Sequence, residues 1–148
     1  MPTLTEPLRH HHQHCDDLFV ATEAAAAGGD WQACQVLLTR FHDAIEDHFN
    51  SEETLLFPAF EAATGMTGGP THMMRGEHAQ MRGLLEQMQG ALTAQMTDVF
   101  AGAAETLLVF MQQHNLKEEN ILYPMCDRSL AGQADGLDAQ LRERLAVP

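Results

Sequence analysis

Two short segments of the 148-residue chain are near copies of each other. The first, HFNSEETLLFPAF, begins at His48, and the second, HNLKEENILYPMC, begins at His114. In each copy a histidine precedes a glutamate by four residues, giving the pairs His48 with Glu52 and His114 with Glu118. Residues four apart lie on one face of an α-helix, so each pair can reach one metal ion. Occurring twice, the pairs predict a two-metal site built by two helices.

The chain around these copies is predicted to be entirely helical, because no long segment shows the alternation of a β-strand. The first helix should start near Thr5 and stop at Gly28-Gly29, and Asp30 should cap the second. Loops are expected at residues 64–70 and 93–97. Four helices of about 20 to 30 residues joined by short turns predict an up-down-up-down four-helix bundle.

The predicted bundle covers about residues 5–130 of a single domain spanning residues 1–148. Three leucines, Leu137, Leu141 and Leu145, predict a short extra C-terminal helix over about residues 135–146.

The paired histidines and glutamates fall on the apolar stripes of their helices, so they are predicted to face the core. In the second helix the stripe continues from Glu52 to Leu55 and Ala59, and in the fourth from Glu118 to Ile121 and Met125. Pro58 and Pro124 should kink or loosen the ends of these two helices.

The duplication extends beyond the two copies. Their offset is 66 residues, since 114 minus 48 is 66, and His78 lies alone in the apolar stripe of the third helix. Applying the offset to His78 gives His12, in the first helix. Three neighbours of His12 remain alternatives for this position: His10, His11 and His14.

The predicted site therefore contains four imidazoles and two carboxylates as metal ligands: His12, His48, Glu52, His78, His114 and Glu118. A single His-x3-Glu pair is usually a solvated ion pair, but six polar side chains facing one core need a shared partner. Two metal ions bridged by both carboxylates and by an oxo or hydroxo group satisfy them together. Mixed nitrogen and oxygen ligands with open positions suit iron, with manganese or zinc as possible substitutes. An open position can bind O₂, NO or peroxide.

Three residues beside the predicted ligands receive more ordinary interpretations. Glu53 and Glu119 are turned about 100° from the ligand face, so they should be solvated or support a ligand from outside. Tyr123 occupies the position of Phe57 in the repeat and is interpreted as a packing residue, with a hydrogen-bonding or redox role as the alternative. No catalytic residue and no site for an organic cofactor is predicted.

Charge and cysteine content restrict the surroundings and partners of the chain. With 21 acidic and 8 basic residues the net charge is −13, which argues against nucleic acid and against an anionic membrane surface as partners. Three widely spaced cysteines without a CxxC motif favour reduced thiols in a cytoplasmic protein. Neither a signal peptide nor a membrane span is recognised.

The repeated motif resembles that of the hemerythrin-like, or HHE cation-binding, family. The resemblance runs from about His12 to Pro124 and is carried by HQHCDDLF, HFNSEETLLFP, GPTHMMRGEH and HNLKEENILYP. It implies a four-helix bundle with a non-haem di-iron centre and bridging carboxylates. His48, Glu52, His78, His114 and Glu118 match the family's ligands by position, and His12 matches less closely.

Two positions depart from the oxygen-carrying hemerythrins. Met74 stands where those proteins have a second histidine one turn before the third-helix ligand, and Glu118 replaces an aspartate placed one residue later. The set is more similar to that of bacterial hemerythrin-like proteins tied to iron homeostasis, oxygen or redox sensing, and nitrosative-stress repair.

The expected function is binding of O₂, NO or peroxide as an oxygen or redox sensor, buffer or scavenger. The alternative is a nitrosative- or oxidative-stress enzyme, or an iron-donating repair or storage protein, that uses the same centre. A redox partner is possible. The sequence leaves open whether the protein is an enzyme, which metal is native, and what oligomer it forms.

Overall fold

Residues 3–146 are described by a computed structural model, which is a bundle of α-helices with no strand in that range. The outermost residues of the predicted 1–148 domain lie outside the described part. The helices are α1 (Glu6–Ala27), α2 (Trp31–Ser51), α3 (Phe57–Thr64), α4 (Pro70–Thr93), α5 (Thr97–Lys117), α6 (Tyr123–Ser129) and α7 (Ala134–Arg144). A first π turn, Glu52–Leu56, joins α2 to α3, and a second, Glu118–Leu122, joins α5 to α6. The prediction of an all-α bundle is confirmed.

Turn and cap residues explain where the helices end. The Asp30 side chain accepts a hydrogen bond from the Ala33 N–H at 3.0 Å and caps α2. Gly29, before this cap, and Gly65, after α3, both have a φ of +74°, which glycine adopts without the strain of a Cβ atom. Pro70 is the first residue of α4, where its missing N–H has no helical partner to lose.

The core consists of two apolar clusters with polar residues between them along each long helix. One cluster lies toward the α1–α2 and α4–α5 turns and includes Phe19, Phe41 and Met88. The other includes Leu56 and Leu122 and is covered by α7, which buries the three leucines predicted for the C-terminal helix. Between the clusters, five buried histidines and two buried glutamates interrupt the apolar packing.

The π turns overturn part of the predicted stripes. After each glutamate the predicted inward positions included Leu55 and Ile121, but Leu56 and Leu122 are the fully buried residues and Ile121 is 57% exposed. A π turn holds one residue more than an α turn, so it rotates the following helix relative to a regular period. The stripe was extrapolated at the α-helical period and was therefore wrong beyond Glu52 and Glu118.

Pro58 explains the first π turn. The Phe57 N–H donates to the Glu52 carbonyl, five residues back. Because Pro58 has no N–H, it cannot donate to the next carbonyl, that of Glu53. The Arg75 guanidinium on α4 donates to that carbonyl instead, at 3.2 Å. The predicted loosening at Pro58 is thus a defined π turn whose free carbonyl is satisfied by an arginine.

The second π turn repeats this arrangement. The Tyr123 N–H donates to the Glu118 carbonyl, and Pro124 leaves the Glu119 carbonyl without a helical donor. The Arg9 guanidinium on α1 donates to it at 3.1 Å. Because 75 minus 9 is also 66, the duplication includes the arginines that stabilise both turns.

All three cysteines, Cys15, Cys34 and Cys126, are buried free thiols, as their number and spacing predicted. Within residues 3–146, no helix combines the length and the apolar character that a membrane span requires.

Candidate metal centre

The structure brings all six residues of the predicted site together in the middle of the bundle, and each is at most 5% exposed. They form two groups in which one nitrogen or oxygen atom per residue lies within 4.8 Å of the others. The first group contains Glu52, His78, His114 and Glu118, and the second contains His12, His48 and Glu118. Glu118 therefore belongs to both groups.

The four imidazoles point their Nε2 atoms at the two carboxylates. Glu118 Oε1 lies 3.1 Å from Nε2 of His12 and 3.3 Å from Nε2 of His114. Glu52 Oε1 lies 3.1 Å from Nε2 of His78 and 3.6 Å from Nε2 of His48. Each carboxylate thus faces one histidine of its own helix and one of another helix.

Four inward-pointing atoms are left without a hydrogen bond among residues 3–146, although they are shielded from water: Glu52 Oε1, His78 Nε2, His114 Nε2 and Glu118 Oε2. Buried polar atoms without a partner are destabilising and rare in folded proteins. Neutral imidazole and carboxylate are the ligand types that iron, manganese and zinc accept. The donor set therefore fits a metal centre.

Three of the four histidines have a carboxylate bonded to the outward nitrogen, Nδ1. The pairs are His12 with Glu119 at 3.0 Å, His78 with Glu53 at 2.7 Å, and His114 with Glu77 at 2.8 Å. Such outer partners fix the orientation and tautomer of a ligating histidine and raise its basicity. Of these carboxylates, Glu53 and Glu119 were predicted to be solvated or to support a ligand from outside, whereas Glu77 was not predicted.

His48 differs, because its outward nitrogen faces another histidine. Its Nδ1 lies 3.1 Å from Nδ1 of His11, and the two rings are stacked with centroids 5.2 Å apart. The Cys15 thiol lies 3.6 Å from the same His11 nitrogen. Since 77 minus 66 is 11, His11 occupies the position that Glu77 holds in the other half. The sequence contained this signal, but the offset was applied only to predicted ligands.

The first-helix histidines take four different positions. His12 is the member of the buried groups, and His11 is its neighbour against His48. The His10 side chain is 77% exposed and contacts Glu6 at 2.9 Å. His14 is partly exposed, with its ring centroid 5.6 Å from that of His11. Among these four, the geometry places only His12 against a carboxylate of the cluster.

A family model described as hemerythrin HHE cation binding domain matches residues 3–126. The match includes all six residues of the buried cluster, their outer partners and both π turns. The chain belongs to this family. Comparisons with curated proteins and with solved structures found no match.

As a hemerythrin-like protein, the chain has a buried His/Glu cluster that could hold metal. Its electrostatics distinguish the two carboxylates. Burial and the neighbouring Glu118 raise the pKa of Glu52 to about 8. The pKa of Glu118 lies well below its usual range despite burial, because Glu52 and His114 stabilise its charge. In the metal-free hemerythrin-like fold, Glu118 is therefore the charged carboxylate at neutral pH.

The histidines are also held in different states. Burial lowers the pKa of His12 and of His78, but hydrogen bonds to two carboxylates each outweigh it and raise both values to about 9. His48, which lacks an outer carboxylate, has its pKa lowered well below the usual value by burial and by His12. Ligation requires neutral imidazole, so metal binding must displace protons from His12 and His78.

Tyr123 reaches the centre of the hemerythrin-like site, so the hydrogen-bonding alternative describes it better than packing alone. Its hydroxyl donates to Glu52 Oε2 at 2.7 Å and lies 3.1 Å from Glu118 Oε1. Nε2 of His12 and Nε2 of His48 are both 3.3 Å away. A buried tyrosine hydroxyl needs a polar partner, and this requirement, rather than the repeat, is the signal that could have placed it.

Proposed function

We propose that the chain is a non-haem di-iron protein that binds O₂, NO or peroxide at a carboxylate-bridged centre, as an oxygen or redox sensor, buffer or scavenger. The observation that carries the proposal is the presence of two buried groups of donor atoms that share Glu118. Two ions, one per group, would account for every inward atom that lacks a hydrogen bond within residues 3–146.

The residues divide naturally between two ions. His78 and His114 would hold one ion, His12 and His48 the other, and Glu52 and Glu118 would bridge them. Iron is favoured because it accepts this nitrogen and oxygen set and also supplies redox-active positions for a diatomic ligand. Manganese and zinc fit the same donors, so metal identity is part of the proposal.

The protein around the centre would keep water out and fix the ligands. The apolar clusters on both sides of the site restrict access of solvent. Phe49 stacks on His78 with ring centroids 4.0 Å apart, and Phe57 lies 5.8 Å from the same ring. A rigid, dry environment favours reversible binding of a small ligand over its hydrolysis or release as a reactive species.

Anaerobic reconstitution tests this function. Metal-free protein is loaded with ferrous iron, separated from unbound metal and analysed for iron, with two ions per chain expected. Exposure to O₂ or to NO should then produce a ligand-dependent charge-transfer absorption that is reversed when the gas is removed. A double variant, Glu52→Ala with Glu118→Ala, is the matched control and should bind no iron. Iron-loaded protein with no spectral response to any of the three ligands would contradict the proposal.

An enzymatic role at the same site is the second candidate, and the Tyr123 hydroxyl is the observation that favours it. A phenol hydrogen-bonded to Glu52 can pass its proton to a reduced ligand. Steady consumption of NO or peroxide with a chemical reductant would support an enzyme, and stoichiometric binding alone would support the sensor, buffer or scavenger.

A further inference from the structure

The two seams that cover His12 and His78 are related by the duplication but are built differently. The seam between α2 and α4 covers His78, and the seam between α1 and α5 covers His12. In the first, Arg82 donates to Glu46 Oε1 and to Glu53 Oε2, both at 2.9 Å. Its guanidinium lies 5.1 Å above the Phe49 ring, which stacks on His78. Arginine, carboxylates and aromatic ring together close the α2/α4 seam.

The α1/α5 seam keeps the carboxylate equivalent to Glu53, which is Glu119, but lacks the other closing groups. With the 66-residue offset, Asp16 takes the place of Arg82, Gln112 that of Glu46, and Asn115 that of Phe49. Instead of a closed seam there is a cleft of about 420 Å³, which we call the α1/α5 cleft. Its lining includes His12, Gln13, Asp16, Gln112, Asn115 and Glu119.

The α1/α5 cleft has two carboxylates and three amides in its lining, beside Arg9 and Leu116, and ends at the buried cluster. Carboxylate and amide oxygens, together with retained water, are ligands that hydrated divalent cations accept. At its floor lies His12, which is 5% exposed and whose Nε2 is 3.1 Å from Glu118 Oε1. A cation in the cleft would be separated from the cluster by one imidazole ring.

Asp16 is the carboxylate of the α1/α5 cleft that lacks a basic partner within residues 3–146. Arg9 and the protonated His12 balance the charges of Asp16 and Glu119, but Glu119 is bonded to His12 at 3.0 Å, whereas Asp16 makes no ion pair in that range. The Arg9 guanidinium donates to the Glu119 carbonyl at 3.1 Å and lies 5.5 Å above the Tyr123 ring. Partial burial raises the pKa of Asp16, and the carboxylates of Asp17 and Glu119 raise it further against the effect of His12. A cation beside Asp16 would relieve this repulsion.

We propose that the α1/α5 cleft is the uptake site through which a hydrated ferrous ion reaches the buried centre, with Asp16 as the first carboxylate it meets. The α2/α4 seam, closed by Arg82, excludes cations. The two metal positions are thus filled from one side of the bundle. This inference rests on the proposed metal centre, but it concerns the route of uptake and not the chemistry of the loaded site.

The test compares rates of uptake and release in three proteins. Metal-free wild type, Asp16→Arg and Glu86→Arg are mixed anaerobically with Co²⁺, whose visible absorption reports binding, and with Fe²⁺ as a second probe. Glu86→Arg is the matched control, because it makes the same charge change at an exposed residue of α4 that does not line the cleft. Release is then measured by addition of excess chelator.

Asp16→Arg should slow uptake by about 10-fold or more, in the range by which electrostatic steering alters association rates. Chelator-driven release should also slow, because the substituted residue lies on the route in both directions. Glu86→Arg should stay within about 2-fold of wild type, since an exposed charge is screened by salt.

Equal rates for Asp16→Arg and wild type would overturn the uptake route, and so would equal slowing by both variants, which would indicate bulk charge only. Wild-type protein that binds neither metal at equilibrium would contradict the metal centre itself. Failure of the metal centre can therefore be distinguished from failure of the uptake route. Asp16→Asn, which removes the charge with little change of shape, keeps the test valid if Asp16→Arg fails to fold.

Discussion

The two halves of the site have the same backbone and the same inward side chains, yet their surroundings differ. We call the group around His78 and His114 the His78 half, and the group around His12 and His48 the His12 half. Three pairs of equivalent positions distinguish the His78 half from the His12 half: Phe57 and Tyr123, Glu77 and His11, and Arg82 and Asp16. The His78 half is closed, apolar and supported by carboxylates, whereas the His12 half carries a hydroxyl, an imidazole and a cleft.

This difference indicates what the duplication holds constant. The inward ligands, the outer carboxylates Glu53 and Glu119, and the arginines at the π turns recur in both halves. Each of them faces the centre, bonds a ligand histidine or satisfies the backbone that presents a ligand. The positions that differ leave the six inward ligands unchanged, so the two ions would have the same ligand types in unequal environments.

The largest expected effect tests whether the halves share a ligand. Glu118 belongs to both groups and Glu52 to one. Glu118→Gln should therefore reduce binding of both ions by at least about 100-fold, since even loss of an outer partner costs about 10- to 100-fold. Glu52 would bridge both ions but lies closer to the His78 half, since its Oε1 is 3.1 Å from Nε2 of His78 and 3.6 Å from Nε2 of His48, so Glu52→Gln should spare the His12 half more than the His78 half. Metal content after dialysis measures this, and equal losses in both variants would refute the unequal sharing.

A second prediction compares the outer partners. Glu77→Gln removes the carboxylate from His114 Nδ1 and should weaken metal binding by about 10- to 100-fold. His11→Gln removes a neutral partner from His48 and should weaken it by less than about 10-fold. Chelator competition gives both affinities. Lys117→Ala, which removes a cation 2.7 Å from the far oxygen of Glu77, controls for the change in surface charge.

The free energy of unfolding should depend differently on pH in the metal-free and the metal-loaded protein. The folded pKa values of His12 and His78, about 9, exceed the ordinary value of 6.5. Their contribution to stability is therefore complete below pH 6.5 and is lost as the pH rises through 9. Glu52, whose pKa is raised to about 8, acts in the same direction because its folded state holds a proton that the unfolded chain has lost.

The free energy of unfolding of metal-free protein should fall between pH 6.5 and pH 8.5, by about 1.4 kcal/mol per pH unit for each proton retained. The loaded protein should be nearly insensitive to pH in this window, because the ligands are deprotonated both in the metal complex and, increasingly, in the unfolded chain. Urea unfolding with and without metal measures both. His11→Glu should raise the pKa of His48 and steepen the metal-free slope. Parallel slopes would contradict the assignment of His12 and His78 as ligands.

The fold and the inward residues were accessible from sequence because each depends on a local period or a repeat. Apolar spacing, Gly29 and Pro70 mark the helices, and the offset of His78 leads to His12. The outer partners of the ligand histidines were harder to predict from sequence. Glu77 lies one residue before His78, on another face of α4, and its bond to His114 depends on the packing of α4 against α5. Only the assembled bundle brings these two residues together.

Two further errors came from treating the copies as regular and equal. The α-helical period was continued past Glu52 and Glu118, although Pro58 and Pro124 signal that the next carbonyl has no helical donor. The match between Tyr123 and Phe57 then favoured packing for both rings over a hydrogen-bonding role for Tyr123. Tyrosine differs from phenylalanine by one hydroxyl group, and a hydrophobic pattern does not distinguish the two residues.

The smallest expected effect tests that hydroxyl directly. Tyr123→Phe removes the donor to Glu52 Oε2 and should destabilise the metal-free protein by about 1 to 3 kcal/mol, the usual effect of leaving a buried polar atom unpaired. Phe57→Tyr alone places a hydroxyl at the equivalent position of the His78 half, where Nε2 of His78 and Nε2 of His114 have no hydrogen bond within residues 3–146.

If the halves share their inward geometry, the double variant, Tyr123→Phe with Phe57→Tyr, should recover about half or more of the stability lost in Tyr123→Phe, because the new hydroxyl meets an unpaired nitrogen. If the halves differ inside as well as outside, the added oxygen is overpacked and the double variant is less stable than Tyr123→Phe, by about 1 to 3 kcal/mol. Urea unfolding of the four metal-free proteins at pH 7 distinguishes these results. We expect recovery, because the backbone, the π turns and the arginines that fix both rings follow the same offset.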